Sequence, residues 1–267
     1  MKASIFLPLF IGSFCMLAGG EPLPLTQSTF TEIIKDVNVV AADTQAVSPA
    51  LTNEIFRAPD LVRTGPNSRV EMEASDKTIT RIGSDTIFTF EKDGRNLLLN
   101  RGSVLFHAPA GLGGGTITSG GASASVLGTT LICAVMSDGR FKTIVLEGKA
   151  RVTTAWNNKT VTVHAGQMLI VARQPGQDES GTVEDVDLKQ LTGRLLLVFG
   201  FPDALSSMPL IEAAIQQQQQ DLASGKTGPY VSMLIVETDL DLIGGALAHP
   251  EWLLEYQDHT TVFISPD

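Results

Sequence analysis

Four short stretches of the chain repeat one physical pattern: an apolar strand end, a glycine, and then a new strand. They are Leu99-Asn100-Arg101-Gly102-Ser103, Leu127-Gly128-Thr129-Thr130, Leu146-Glu147-Gly148-Lys149 and His164-Ala165-Gly166-Gln167. Glycine takes positive φ or a tight corner without steric cost, so its recurrence at strand junctions describes a chain that folds back on itself repeatedly. Between these corners the apolar residues alternate with polar ones. Val70 and Met72 alternate with Arg69, Glu71 and Glu73, and Phe88 and Phe90 with Thr89 and Glu91. Leu131, Cys133 and Val135 follow the same period, as do Thr143 with Val145 and Val161 with Val163. A period of two marks strands with one face on a core and the other toward water.

Turn signals separate these runs at Gly65-Pro66-Asn67, Asp93-Gly94, Asp138-Gly139 and Asn157-Asn158. At least ten short strands fit between residues 60 and 172, as a barrel, a sandwich or a short-coiled solenoid would require. The β-rich part is read as beginning near Asp60. Before it, Phe30, Ile33, Ile34 and Val37 are spaced three, one and three apart, which suits either one helical face or an irregular strand.

After residue 172 the texture changes. Residues 174–181 (QPGQDESG) have the composition of a linker. Asp187 is placed to cap a helix through Leu188, Leu191, Leu195 and Leu196, weakened by Gly193. A better-supported helix starts at Ser207 with Pro209 in its first turn. It presents Leu210, Ile211, Ala214 and Ile215 on one face, and runs through Gln216–Gln220 to end near Gly225. Two further strands are expected at Tyr230–Val236 and Thr261–Ser265, with Trp252-Leu253-Leu254 between them. The organisation expected is a signal peptide at 1–20, an N-terminal extension at 21–59 and a β domain at 60–172. A linker at 173–182 and a C-terminal α+β extension at 183–267 follow.

The first twenty residues read as an export signal. Lys2 precedes an apolar core from Ile5 to Leu17, and Ala18-Gly19-Gly20 supplies small residues for cleavage near Gly20. A retained inner-membrane anchor is the alternative, although Pro8, Gly12 and the paired glycines make a poor spanning helix. The expected location is therefore periplasmic or secreted, with membrane contact only through an uncleaved signal segment.

The chain carries 19 basic and 29 acidic residues, for a net charge of −10, with no cluster of Lys or Arg. That excludes binding through a phosphate backbone, so no nucleic acid partner is expected. Once the signal and its Cys15 are removed, Cys133 is the single cysteine, with no intrachain disulfide available to it. Its apolar strand context makes it a buried small hydrophobe rather than a nucleophile.

No catalytic, cofactor-binding or metal-binding residues emerge. The four histidines, His107, His164, His249 and His259, share no metal-binding spacing. His107 and His164 fall at strand ends, where a hydrogen-bonded structural role is the default. Residues 111–115 (GLGGG) lack the following helix and lysine of a phosphate cradle, and read as a flexible loop. No Gly-x-Ser-x-Gly is present, and no Ser-x-x-Lys opens a helix. A carboxylate pair assembled by folding is the one enzymatic arrangement that the sequence leaves open.

Several segments taken in order carry a family likeness. Val62-Arg63-Thr64-Gly65 and Ser68-Arg69-Val70-Glu71-Met72 come first, then residues 97–105 (LLLNRGSVL) and 124–130 (ASVLGTT). Residues 145–152 (VLEGKARV) and Ala165-Gly166-Gln167 close the series. Over roughly residues 60–172 the chain resembles the FecR-like family of periplasmic sensor domains. That resemblance implies an all-β, solenoid-like periplasmic module. With the strand count and the helices read above, the fold expected is mainly β, short-stranded and solenoid- or sandwich-like, with a small α-containing C-terminal extension of its own. The resemblance also implies a non-catalytic, protein-interaction role in signal relay within the bacterial cell envelope, with an envelope protein as the unidentified partner. The family's regulators carry a cytoplasmic arm before their membrane span. Here only Met1 and Lys2 precede the apolar segment, so direct sigma-factor binding is not expected. An envelope structural or carbohydrate-binding protein on the same fold is the alternative reading.

Overall fold

The computed structural model describes residues 24–92, 95–171 and 181–227. Within these residues seventeen hydrogen-bonded strands divide into two sheets that share one strand. The chain starts in the first sheet with β1 (Gln27–Ile34) and crosses to the second for β2 (Val37–Val40) and β3 (Val47–Pro49). It returns for β4 (Ile55–Arg57), crosses for β5 (Leu61–Thr64), and returns for the hairpin of β6 (Arg69–Ala74) and β7 (Ile79–Ile82). β8 (Ile87–Phe90) lies in the second sheet. β9 (Asn96–Ala108) belongs to both: Leu97 to Arg101 pair with β8, and Val104 to His107 pair with β7. Thereafter hairpins alternate between the sheets. β10 (Gly115–Ser119) and β11 (Ala122–Val126) are in the second, β12 (Thr129–Val135) and β13 (Phe141–Glu147) in the first. β14 (Lys149–Thr154) and β15 (Thr160–His164) are in the second, β16 (Gln167–Val171) and β17 (Val183–Asp185) in the first. Every pairing is antiparallel except β9 with β10.

The layers follow from the period-two pattern. Inward residues of the two sheets, among them Phe30, Phe56, Phe88, Phe106, Leu131 and Val163, make one core. All four glycines of the repeated corner pattern have positive φ: 84° at Gly102, 65° at Gly128, 77° at Gly148 and 78° at Gly166. Gly102 is the residue at which β9 passes from one sheet to the other. A Cβ there would lie 2.1 Å from Thr86 Oγ1, so both the dihedral and the space demand glycine.

The strand content begins well before Asp60, because residues 27–57 supply β1 to β4. The odd spacing of Phe30, Ile33 and Ile34 is neither helical nor random. β1 carries a register shift between Phe30 and Glu32 in its pairing with β6. One inserted residue turns a spacing of two into three, so Phe30 and Ile33 both face the core. The glycine loop at 111–115 joins β9 to β10; Gly111 stands in open space, whereas Gly114 and Gly115 are required by close packing. A Cβ on Gly114 would meet Val126 O at 1.9 Å, and one on Gly115 the Phe106 ring at 2.6 Å.

The segment after residue 181 covers the outer face of the first sheet. α1 (Leu188–Thr192) is capped by Asp187, whose Oδ1 accepts the Gln190 N–H at 3.0 Å. It stops at Gly193 instead of continuing through Leu195, and α2 (Leu196–Phe199) follows as a separate turn. α3 (Met208–Ala223) begins where Ser207 and Pro209 place it, although the Ser207 side chain makes no capping bond. Leu188, Leu191, Leu195, Leu197, Val198 and Ile211 pack on Leu105, Ile132, Ile144, Leu146 and Met168 as a second core. Hence β12 and β13 are buried on both faces. The expected linker at 173–182 and the C-terminal strands lie largely or wholly outside the described residues.

One buried cation fastens this cover. Arg81 on β7 has no exposed surface. Its Nε donates to Glu71 Oε2 at 2.7 Å, and its terminal nitrogens donate to the carbonyls of Leu197 (3.2 Å), Val198 (2.8 Å) and Asp203 (2.7 Å). The guanidinium also lies 4.3 Å from the Phe201 ring centre. Arg69 adds a 2.7 Å bond to Gly200 O. Removing Arg81 strands buried carbonyls and the Glu71 carboxylate, so Arg81→Ala is expected to cost about 3 kcal/mol or more. Urea unfolding of both proteins measures this, and a loss below about 1 kcal/mol would mean that the cover is held by apolar packing alone.

Candidate functional site

A chain of polar side chains crosses β9, β12 and β13, where His107 pairs with Thr130 and Thr130 with Glu147. His107 Nδ1 lies 2.9 Å from Thr130 Oγ1, which donates to Glu147 Oε1 at 2.8 Å. All three residues are buried, Thr130 completely. Burial pushes the His107 imidazole below its ordinary 6.5 and the Glu147 carboxyl above its ordinary 4.5. A hydroxyl between a base and an acid has the ingredients of an activated nucleophile, but Thr130 has no surface through which a substrate could reach it. The chain serves instead to satisfy buried polar groups where three strands meet.

The remaining candidates divide cleanly. Cys133 is fully buried beside Thr143 Oγ1 at 3.8 Å, and burial pushes its thiol far up. His164 is not the tied-down strand-end residue expected from its position, because its side chain is exposed and makes no hydrogen bond among the described residues. His249 and His259 lie outside those residues. Among the described residues no three His, Cys, Asp or Glu side chains gather into a group that could hold a metal ion. An open cleft of about 530 Å³ beside Ser28, Thr31 and Ala74 holds one acid, Glu73, which is paired with Lys77 at 2.7 Å.

The sheet edges are more informative than the cavities. Among the described residues each sheet ends in two strands, β4 and β17 in the first and β3 and β15 in the second. Three of the four have three residues each, and each carries a feature that discourages further pairing: Arg57 on β4, Pro49 on β3, Glu184 and Asp185 on β17. β15 is different. It has five residues, Thr-Val-Thr-Val-His, without proline, lysine or carboxylate.

Hydrogen bonding fixes which way its backbone points. Ala165 N–H donates to Gly148 O at 3.1 Å, and Thr154 N–H to Lys159 O at 3.0 Å. Alternation from those two ends places Val161 and Val163 in the bonded pairs with β14, and leaves Thr160, Thr162 and His164 with outward backbone groups. The His164 N–H is taken by Gln167 Oε1 at 3.0 Å. Among the described residues, no strand pairs with the outward groups of Thr160 and Thr162. Nothing in the alternation of Val161 and Val163 marks β15 as an edge, because edge position is set by the order in which hairpins stack.

The face beside this edge has its own chemistry. No Asp or Glu occurs in any strand of the second sheet, although the chain as a whole is strongly acidic. Its outward positions hold hydroxyls, such as the cross-strand pairs Thr116–Ser125 at 3.0 Å and Thr153–Thr160 at 2.9 Å. They also hold cations. Lys149 and Arg151 on β14 sit opposite His164 and Thr162, are exposed, and have no side-chain bond among the described residues.

The described residues form a mainly β module of two sheets whose β15 edge is unblocked. The FecR protein family model matches residues 60–151, so the chain carries a FecR-like domain. That match covers about a third of the chain and spans β5 to the middle of β14. FecR-like domains are generally regulatory rather than catalytic. No curated protein matches the sequence. Two crystal structures of a candidate anti-sigma factor from Parabacteroides distasonis are similar, at 14% and 15% identity with TM-scores of 0.41 and 0.40. Each alignment covers 50% of this chain and 64% of the other, so the chain spans less than two thirds of those proteins. Among the described residues no helix is long and apolar enough to cross a membrane.

The His107–Glu147 chain gives a pH signature with opposite signs. The depressed His107 pKa means that the unfolded chain binds more protons below pH 6.5, so this residue's contribution to stability falls on acidification. The raised Glu147 pKa means that the folded chain holds its proton longer, so its contribution rises as pH falls toward 4.5. Between about pH 7 and pH 5, His107→Gln should therefore gain stability relative to the parent and Glu147→Gln should lose it. Urea midpoints at the two pH values measure this, and parallel profiles for all three proteins would contradict it.

Proposed function

We propose that this protein is an exported, non-catalytic interaction module that relays a signal in the bacterial cell envelope by docking another envelope protein. The observation that carries the reading is the β15 edge. It is the longest of the four sheet edges and has none of the usual blocks, and an extended partner segment gains main-chain hydrogen bonds at such an edge. The FecR-like match supports the regulatory side of the reading, and the apolar, singly charged segment at residues 1–20 supports export. The absence of helix and lysine after the glycine loop, and the burial of Thr130 and Cys133, favour binding over chemistry.

Proline substitution separates docking from folding. The Thr162 N–H points away from β14, so Thr162→Pro removes an outward donor at little cost to the sheet, whereas Val161→Pro removes a ladder bond. With a photo-reactive side chain at position 160 in intact cells, the protein should yield a discrete adduct with one envelope protein. The adduct should be lost in Thr162→Pro, whose thermal midpoint stays within a few degrees of the parent, while Val161→Pro is destabilised by about 3 kcal/mol. An adduct undiminished by Thr162→Pro, or no protein adduct, would overturn the reading.

A further inference from the structure

We infer that the segment docked on β15 is acidic, an extended stretch of polypeptide with Asp or Glu at alternate positions. This deepens the docking reading above and rests on it. A strand added to β15 would bond to the N–H and C=O groups of Thr160 and Thr162, and its alternate side chains would fall on the same face as those of Thr160, Thr162 and His164. On that face the next strand inward presents Lys149 opposite His164 and Arg151 opposite Thr162. Both cations are exposed and carry no hydrogen bond or ion pair among the described residues. Two strand spacings, about 10 Å, separate the incoming strand from β14, a span that two long side chains reaching toward each other can cross.

Charge sorting across the fold points to the same partner. The chain has ten more acidic than basic groups, yet the strands of the second sheet contain no carboxylate at all. Asp185, on β17 of the first sheet, is already engaged, accepting from Gln167 Nε2 at 3.0 Å. Exposed cations elsewhere in the fold are often matched, as Lys77 is with Glu73 and Arg140 with Asp138 at 2.6 Å. Lys149 and Arg151 are left for a partner. A basic segment would meet two like charges, and an apolar one would leave both cations unanswered at the contact.

The test is an NMR titration of the full chain with a capped seven-residue peptide of alternating valine and glutamate. Valine–glutamine and valine–lysine peptides of the same length serve as controls. The acidic peptide should shift the amides of Thr160 and Thr162 most. Its affinity should exceed that of the neutral peptide by about tenfold, weaken with added salt, and fall to the neutral peptide's value or below it in the double variant Lys149→Glu, Arg151→Glu. Equal affinities for the three peptides, shifts elsewhere on the surface, or no shifts with any peptide would overturn the inference. A cellular adduct at position 160 that survives the charge reversal would sink the acidic partner and leave edge docking standing. Loss of the adduct in Thr162→Pro but not in the charge-reversed variant has the same meaning.

Discussion

The arrangement depends on one buried guanidinium. Arg81 meets Glu71 on the neighbouring strand and the carbonyls of Leu197, Val198 and Asp203 in the segment that crosses above it. The carbonyls of Leu197 and Val198 lie in the last residues of the single turn α2, where no intrahelical donor can reach them, and that of Asp203 lies in the bend that follows. A charged fork with several donors answers them all at once, and a burial cost that would be prohibitive for an unpaired cation is offset by bonds of good length. With that tie in place, the residues from Val186 to Ile211 lie flat on the first sheet and complete a second apolar layer.

Covering one sheet has a consequence for the other. The first sheet is buried on both faces at β12 and β13, so its outward positions hold Leu105, Ile132 and Ile144. The second sheet keeps an outward face in water, and its strands alternate accordingly, as in the exposed-buried pattern of β14. Solvent access, the carboxylate-free composition and the unblocked β15 edge therefore fall on the same layer. The C-terminal helices finish the first sheet's core and, through β17, also occupy one of its edges. Among the described residues nothing pairs with the outer side of β15 at the second sheet's edge.

Much of this was legible in the residues. The four glycine corners take the positive φ that their position between apolar runs implies, and the alternating stretches from Val70 to Val163 are strands. Asp187 caps its helix, and Ser207 with Pro209 starts another. Other features were hidden for identifiable reasons. A single bulge in β1 gave Phe30, Ile33 and Ile34 a spacing that fits helix and strand equally well. The break at Gly193 yielded two short helices where leucine periodicity alone suggests one. The Arg81 tie spans more than a hundred residues, and nothing local to Thr80-Arg81-Ile82 separates a buried arginine from one on a polar strand face. The open edge was hidden for a related reason, since strand order comes from hairpin stacking and not from the composition of any one strand.

Amide hydrogen exchange on the isolated full chain tests the central claim most directly. If β15 offers an unpaired edge, the amides of Thr160 and Thr162 exchange orders of magnitude faster than those of Val161 and Val163, which bond to β14. Uniform protection along all five residues of β15 would show that the edge is already covered, and would contradict the account.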